Sequence, residues 1–176
     1  MSPELIVRAS MLIVMLFGAV FTVYQLRYLR TQSRNKYEWN RRVEAISYSL
    51  IKSQRLREAR IELDKHFGIL SGRTEALTIA ELDKEIEKNP ALHTDILYAL
   101  AHWENMALAI HAGIADEDVA FEMVAGMVIQ FVSVFHNFIE RRKGENPRAY
   151  EYLTRLSVRW QDRLKSTDKP IFADIS

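Results

Sequence analysis

An uncharged stretch of eighteen residues, Ala9–Leu26, constrains this chain more than any other part of its sequence. A helix rises about 1.5 Å per residue, so the stretch reaches roughly 27 Å, close to the roughly 30 Å thickness of bilayer hydrocarbon. It is apolar on every face of a helix, whereas a helix packed against one domain is apolar on one face only. The pattern predicts a membrane-spanning helix over residues 9–26, after a short outside segment at 1–8.

A cleaved signal peptide is the alternative interpretation of this stretch. Such a peptide has a basic start and ends in small residues at a cleavage site. Here Arg8 is the only base before the stretch, and Gln25 to Tyr28 contain no small residue. The sequence therefore favours an uncleaved anchor.

The charges that flank the stretch predict its orientation. Glu4 and Arg8 precede it, whereas the segment 27–60 that follows carries ten bases and three acids. Basic flanks stay in the cytoplasm, so we expect the N-terminus outside and the rest of the chain at the cytoplasmic face of the cell inner membrane. The bases nearest the exit are predicted to contact anionic lipid headgroups: Arg27, Arg30, Arg34, Lys36, Arg41 and Arg42.

The remaining chain predicts an all-α fold, since it holds only six Gly and four Pro. Apolar residues recur at helical spacing through 39–50 and again through 59–70. We expect the transmembrane helix to continue without a break into a basic stalk helix over 27–70. A cytoplasmic bundle of about five helices follows over 78–164, and residues 165–176 form a tail.

Local signals predict where the bundle helices begin and end. Thr78 to Glu81 has the form of a capping box, and Asp116 to Asp118 places acids at a helix start. Asn89–Pro90 and Asn146–Pro147 each pair a capping residue with a proline suited to the first turn. The apolar helix predicted from 116 to 143 is expected to be the central buried helix.

The sequence carries no familiar catalytic or metal-binding motif. It has no cysteine, no glycine-rich phosphate loop and no G-x-S-x-G. His93, His102 and His111 lie nine residues apart, which places neighbours on opposite faces of a helix. We therefore predict no metal, no cofactor and no enzymatic activity.

Glu104 is the most conspicuous polar residue, because Leu97, Ala101 and Leu108 surround it on its helix face. A carboxylate among apolar neighbours is normally paired. The prediction is a structural ion pair with Arg155 or Arg159, and a functional acid is the alternative. Asn105, which follows Glu104, is a further structural polar candidate.

Arg60 and His66 form an R-x5-H pattern at the end of the predicted stalk. This spacing is similar to the pattern of HEPN-type ribonucleases, in which Arg and His of two subunits meet to cleave RNA. The resemblance implies a membrane-tethered ribonuclease, with these two residues as the candidate catalytic groups. A chance match in an arginine-rich chain is the alternative.

The stretch from Leu97 to Trp160 resembles a bacterial family of unknown function. The similarity rests on Glu104–Asn105, Gly113–Ile114, Asp116–Glu117 and Asn146–Pro147. Members of that family carry one N-terminal membrane helix and a helical cytoplasmic domain. The layout is also similar to the small membrane accessory protein of RNA-targeting CRISPR systems, which implies a membrane-perturbing role in antiphage defence.

The main functional prediction is a self-associating interaction or scaffold protein at the cytoplasmic membrane face. Its predicted partners are membrane lipid, further copies of the chain and a cytoplasmic protein of unknown identity. Nucleic acid is not predicted as a partner, since lipid headgroups account for the basic segment.

Overall fold

The computed structural model describes the backbone of residues 3–49, 52–69, 72–73 and 75–167. Side chains are described at residue 15 and, within those ranges, from 21 to 166. The described residues form seven helices and no strand, which confirms the all-α class. The helices are α1 (Pro3–Ser47), α2 (Gln54–Phe67), α3 (Ile79–Lys88), α4 (Ala91–His111), α5 (Glu117–Val134), α6 (His136–Glu145) and α7 (Glu151–Thr167).

Helix α1 runs without a break through the predicted span and into the stalk, but the stalk helix predicted over 27–70 is not one helix. It ends at Ser47, and α2 begins at Gln54. The hydroxyl of Ser53 accepts a hydrogen bond of 3.2 Å from the amide of Leu56 and so provides the N-cap of α2. The predicted stalk is therefore divided into two helices by the cap at Ser53, without a Pro or Gly at the cap.

The predicted membrane span falls mainly on residues whose side chains lie outside the described part, namely 9–14 and 16–20. Among the described residues, no single helix has both the length and the apolar character needed to cross a membrane. Helices α5 and α6 pass this test only together, and they are bent by 67°.

The chain divides into two compact units, residues 1–40 and 41–176. The first unit consists of α1 up to Asn40. The second holds the end of α1 and helices α2 to α7, so the helical bundle starts well before the predicted residue 78. Within it, α4 packs against α2, α3 and α7, whereas α5 packs against α6 and α7.

Large aromatic side chains fill the core of the second unit. Phe67 of α2 meets Phe135 edge to face, with ring centroids 5.8 Å apart. Phe121 of α5 meets Trp160 of α7 in the same way at 5.7 Å. Offset and edge-to-face pairs add to the free energy of burial, so these contacts tie α2, α5 and α7 into one core.

The helix predicted from 116 to 143 bends after Val134. The carbonyl of Val134 accepts a hydrogen bond of 2.9 Å from the amide of Leu77, a residue of the α2–α3 connection. The side-chain amide of Asn137 donates in turn to the carbonyl of Leu77 over 2.8 Å. A connection distant in sequence thus engages the helix backbone at the bend, where Phe135 separates α5 from α6.

The predicted starts of α3 and α5 are confirmed: Thr78 and Glu81 form the capping box, and Asp116 caps α5. The start of α4 is shifted by one residue, since Pro90 occupies the N-cap position and the helix begins at Ala91. Asn89 still accepts a hydrogen bond of 3.2 Å from the amide of Ala91. The start predicted for the last helix is wrong. Residues 147–150 form a turn, and α7 begins only at Glu151.

Gly113 lies in the turn that follows α4 and has a φ of 72°. An L-residue in this left-handed region costs roughly 1–2 kcal/mol. We expect Gly113→Ala to lower the free energy of unfolding of the full chain in mild detergent by about 1 kcal/mol, measured by chemical denaturation.

Gly144→Ala is the matched control for this change. Gly144 lies inside α6, and a Cβ added there would meet no atom within 4 Å. Alanine is more favourable than glycine within a helix, so the variant should be as stable as the wild type or more stable. Equal losses of stability in both variants would contradict the argument from φ.

Candidate functional site

The carboxylate of Glu104 binds the N-terminus of α7. The amide of Leu153 donates to Oε2 over 2.7 Å, and the amide of Tyr152 donates to Oε1 over 3.3 Å. The first amides of a helix have no partner inside the helix, and a side chain at the N-cap normally accepts from them. Tyr150, which precedes α7 with a φ of 55°, has no acceptor suited to that task. Glu104 of α4 therefore caps α7 from outside.

The environment of Glu104 favours its protonated form. Burial raises the pKa of the Glu104 carboxyl above its usual value, and the charge of Glu151 acts in the same direction. The amides of Leu153 and Tyr152 and the charge of Lys143 oppose this rise in pKa. Desolvation is the largest of these effects, so the cap holds a carboxylate that is costly to ionise.

The ion pairs predicted for Glu104 are wrong. Arg155 pairs with Glu151 over 2.7 Å, and Arg159 pairs with Glu117 over 2.8 Å. A structural role for Glu104 fits its contacts, but its partners are backbone amides and not arginines. Asn105, the other polar candidate, is exposed.

The two candidate ribonuclease residues, Arg60 and His66, line different pockets of one chain. His66 lies between two glutamates, 3.4 Å from Glu85 through Nδ1 and 3.5 Å from Glu62 through Nε2. Arg60 contributes to a separate groove that holds no histidine. The structure of one chain therefore does not bring the pair together.

The groove at Arg60, here called the Arg60 groove, has a volume of about 470 Å³. Small-molecule sites commonly span roughly 300–1,000 Å³. Its walls come from α2, α5 and the end of α7, and polar and apolar atoms contribute about equally to its surface. The lining residues are Arg60, Phe121, Glu122, Met123, Val124, Ala125, Gly126, Met127, Gln130 and Leu164.

One nitrogen of the Arg60 guanidinium lacks a hydrogen-bond partner in the described part of the chain. Its Nε is buried and has no hydrogen-bond partner among the described residues. Burial lowers the pKa of Arg60, and the charge of Asp64, one helical turn further on, partly offsets this. A buried donor without an acceptor costs about 1–3 kcal/mol, and more when it is charged.

The basic residues predicted to contact lipid differ in their exposure. Arg41 is half-buried in the second unit, where its Nη2 donates to the carbonyl of Ala115 over 3.4 Å. Its own carbonyl accepts from the amide of Asp116 over 3.1 Å. Arg41 thus joins α1 to the α4–α5 loop. The other predicted lipid contacts are exposed: Arg27, Arg30, Arg34, Lys36 and Arg42.

Metal coordination finds no support in the described side chains, where no group of three or more His, Cys, Asp or Glu is placed to hold an ion. His66 meets its two glutamates through opposite ring nitrogens. A single ion cannot be shared by ligands on opposite sides of the ring.

Sequence reasoning missed the groove, although one local signal pointed to it. Gly126 interrupts an otherwise apolar helix, and glycine inside a helix is destabilising. The sequence predicts a central buried helix here, but Gly126 is exposed on the groove side of α5.

Comparison with known protein families gives a match. The family described as "Domain of unknown function (DUF4760)" matches residues 12–160, which is most of the chain. No curated protein and no solved structure matches it.

Glu104 makes a testable contribution to the pH dependence of stability. Because its pKa is raised in the folded state, the folded chain binds more protons than the unfolded chain above the usual value of 4.5. Stability from Glu104 is therefore fully present below that value and is lost as pH rises through the folded-state pKa. We expect the unfolding free energy of the wild type, relative to Glu104→Gln, to fall as pH rises, measured by denaturant titrations across the acidic range.

Glu81→Gln is the control with the opposite sign. Hydrogen bonds from the backbone and side chain of Thr78 lower the pKa of Glu81. Its contribution is present above the usual value and is lost as pH falls. The wild type should therefore gain stability over Glu81→Gln as pH rises. The same slope for both variants would refute the assignment of desolvation at Glu104.

Proposed function

Because the chain belongs to the DUF4760 family, whose function is unknown, we propose a role from its own residues: a self-associating, membrane-anchored interaction protein. In this proposal α1 crosses the inner membrane once, with its N-terminus outside. The helical bundle then lies at the cytoplasmic face, where it binds a protein partner. The chain acts as a scaffold and not as an enzyme.

The observation that carries this proposal is the exposure of large apolar side chains on the first unit. Between residues 21 and 29, successive positions of a helix are rotated by about 100°. Phe21 and Val23 therefore point in nearly opposite directions, as do Tyr24 and Leu26, and all four are more than half exposed. A partner helix covers one face, whereas lipid covers every face, so this distribution favours a bilayer.

The polar residues around the end of the uncharged stretch fit the same arrangement. Tyr24 lies just before this end and Tyr28 just after it, and tyrosine side chains prefer the boundary of membrane and water. The exposed bases Arg27, Arg30 and Arg34 follow directly, and each base near an anionic leaflet contributes about 1 kcal/mol to binding.

Self-association has separate support from small residues in the uncharged stretch. Gly18 and Thr22 are four residues apart there, a spacing that lets membrane helices approach closely.

Membrane anchoring predicts a specific response to charge. A charged residue at the centre of a membrane helix costs roughly 2.5–3.5 kcal/mol. We expect the double variant Val14→Arg/Val20→Arg to leave the membrane fraction after an alkaline carbonate wash, with the wild type retained there. Val158→Arg, at an exposed site on α7, is the control and should stay in the membrane.

Because the sequence has no cysteine, a single introduced cysteine can report on which side of the membrane each end of the chain lies. A membrane-impermeant maleimide should label Ser2→Cys in intact spheroplasts, but Ser166→Cys only after lysis. The reverse labelling pattern would overturn the orientation, and a wild type that is washed off the membrane would overturn the anchor itself.

Self-association predicts an oligomer that depends on the small residues of the span. Light scattering of the full chain in mild detergent should give a mass of two or more chains. Gly18→Leu/Thr22→Leu should shift it towards the monomer, because larger side chains keep the helices apart. A wild type that is monomeric at all concentrations would refute this part of the proposal.

A further inference from the structure

The exposed face of α4 carries no Asp, Glu, Lys or Arg, although this helix is 21 residues long and the structure describes all of it. Both acids of α4 have partners within the chain, since Asp95 is buried and pairs with Arg55 and Glu104 caps α7. A long uncharged surface is unusual for a helix that faces water and is typical of the centre of an interface. The other helices from α2 to α7 each expose a charged side chain: Arg57, Lys84, Glu122, Glu140 and Asp162.

The exposed residues of α4 follow the spacing of a helix that pairs with another helix. From Ala91 to Leu108 they recur in alternating steps of three and four, which is the seven-residue repeat of paired helices. Tyr98 and Leu108 are the large apolar members, 36% and 44% exposed. His111, the last residue of the helix, is exposed as well. We define the α4 seam as the residues of this repeat: Ala91, Thr94, Tyr98, Ala101, Asn105 and Leu108.

Polar contacts border the α4 seam on the side of α2. The guanidinium of Arg55, which pairs with Asp95, lies 5.5 Å from the centroid of the Tyr98 ring. The hydroxyls of Ser53 and Tyr98 are 3.4 Å apart. A polar border around an apolar centre is the usual arrangement of a protein interface. Because the acids of α4 already have partners, covering the seam would leave neither of them buried and unpaired.

The apolar members of the seam are complementary to themselves when two copies of α4 run antiparallel. A two-fold axis that crosses the helix midway between Tyr98 and Ala101 places Tyr98 of each copy opposite Ala101 of the other. The same axis places Leu108 opposite Ala91. Each large side chain then faces a small one, which is how facing positions fill the space between two helices.

The two polar members of the seam meet in the same register. The axis sets the side-chain amide of Asn105 opposite the hydroxyl of Thr94, and both groups can donate and accept a hydrogen bond. A parallel pair in register would instead set each residue opposite its own copy, with Tyr98 against Tyr98 and Ala101 against Ala101. The complementarity therefore favours an antiparallel contact with two-fold symmetry, in which one patch serves both copies.

We propose that the α4 seam binds the α4 seam of a second copy of this chain, antiparallel and about this two-fold axis. The inference rests on the self-association proposed above and adds to it a contact in the second unit. The seam is small beside a standard interface of about 20–30 residues per side, so the contact is weak in dilute solution. Anchoring in one membrane raises the effective concentration of the second unit and lets a weak contact form.

The register predicts a disulfide that can form only between two copies. Thr94 and Asn105 lie about 16 Å apart along one helix, and each lies about as far from its own copy across the axis. A disulfide joins Cα atoms less than about 7 Å apart. In the full chain in native membranes, Thr94→Cys/Asn105→Cys should give a covalent dimer on mild oxidation, whereas neither single variant should.

Arg155→Cys/Ser166→Cys is the matched control, because both residues are exposed on α7 and have the same separation in sequence. It should give no dimer. A parallel pair would instead cross-link each single variant of α4 and would overturn the proposed register. A product that joins one copy to a different protein would overturn the second copy as the occupant of the seam.

A charge at the centre of the seam should separate the copies. Ala101→Glu, added to Thr94→Cys/Asn105→Cys, sets two carboxylates close to the axis and should lower the cross-linked fraction at least about tenfold. Ala101 is exposed, and circular dichroism establishes that the variant is folded. Co-expression with chains that carry Ala101→Lys and the same cysteines should restore the cross-link, since opposite charges then meet.

Light scattering in mild detergent separates this inference from pairing through the span. If the wild type is oligomeric but Thr94→Cys/Asn105→Cys gives no dimer, the seam contact is overturned and the pairing in the span stands. If the wild type is monomeric and the same variant still cross-links in membranes, the seam is supported and the pairing in the span is overturned. Folded Ala101→Glu that cross-links as efficiently as its parent would also overturn the seam.

Discussion

The bundle depends on the N-terminus of α7, whose first backbone amides need an acceptor from another helix. Helix α7 follows Tyr150 in a left-handed conformation, and no side chain of the preceding turn accepts from its first amides. Glu104 reaches across from α4 and accepts from two of them. The positive end of the α7 dipole faces this carboxylate, so one interaction joins two helices and fixes where the second begins. The same contact places a carboxylate where desolvation raises its pKa, which makes the joint sensitive to protonation.

Other polar contacts position α7 along its length. Glu117, the first residue of α5, accepts from the guanidinium of Arg159 at 2.8 Å and 3.0 Å, and from the indole of Trp160 at 3.0 Å. With Glu104 at the start of α7 and Glu117 further along, acids of two helices set both its position and its rotation. Trp160 then turns into the core against Phe121. The α7 wall of the Arg60 groove follows from this placement, since Leu164 lies one turn beyond Trp160.

The sequence predicts those features whose cause is local. The capping box at Thr78 involves residues three apart, and the start at Asp116 needs only its own side chain and the next turn. By contrast, the bend at Phe135 arises where Leu77 engages the carbonyl of Val134, a contact between residues far apart in the chain. The α7 cap likewise comes from Glu104, whereas Asn146–Pro147 offered a local start that the chain uses only for a turn. Ser53 is the exception, because its cap is local but lies in a segment whose lack of Pro and Gly predicts an unbroken helix.

The candidate site, too, depends on contacts between residues far apart in the chain, which the sequence does not predict. Arg60 is conspicuous in the sequence because of its spacing to His66, but two residues six apart on a helix point about 120° away from each other. What distinguishes Arg60 is its buried Nε and its place in a groove beside α5, which only the packing of α2 in the bundle creates. Gly126 is visible in the sequence as a glycine inside an apolar helix, yet its exposure in the groove follows only from the packing around α5. Which side chains line this groove is decided by how α2, α5 and α7 pack together, and no spacing within one helix predicts it.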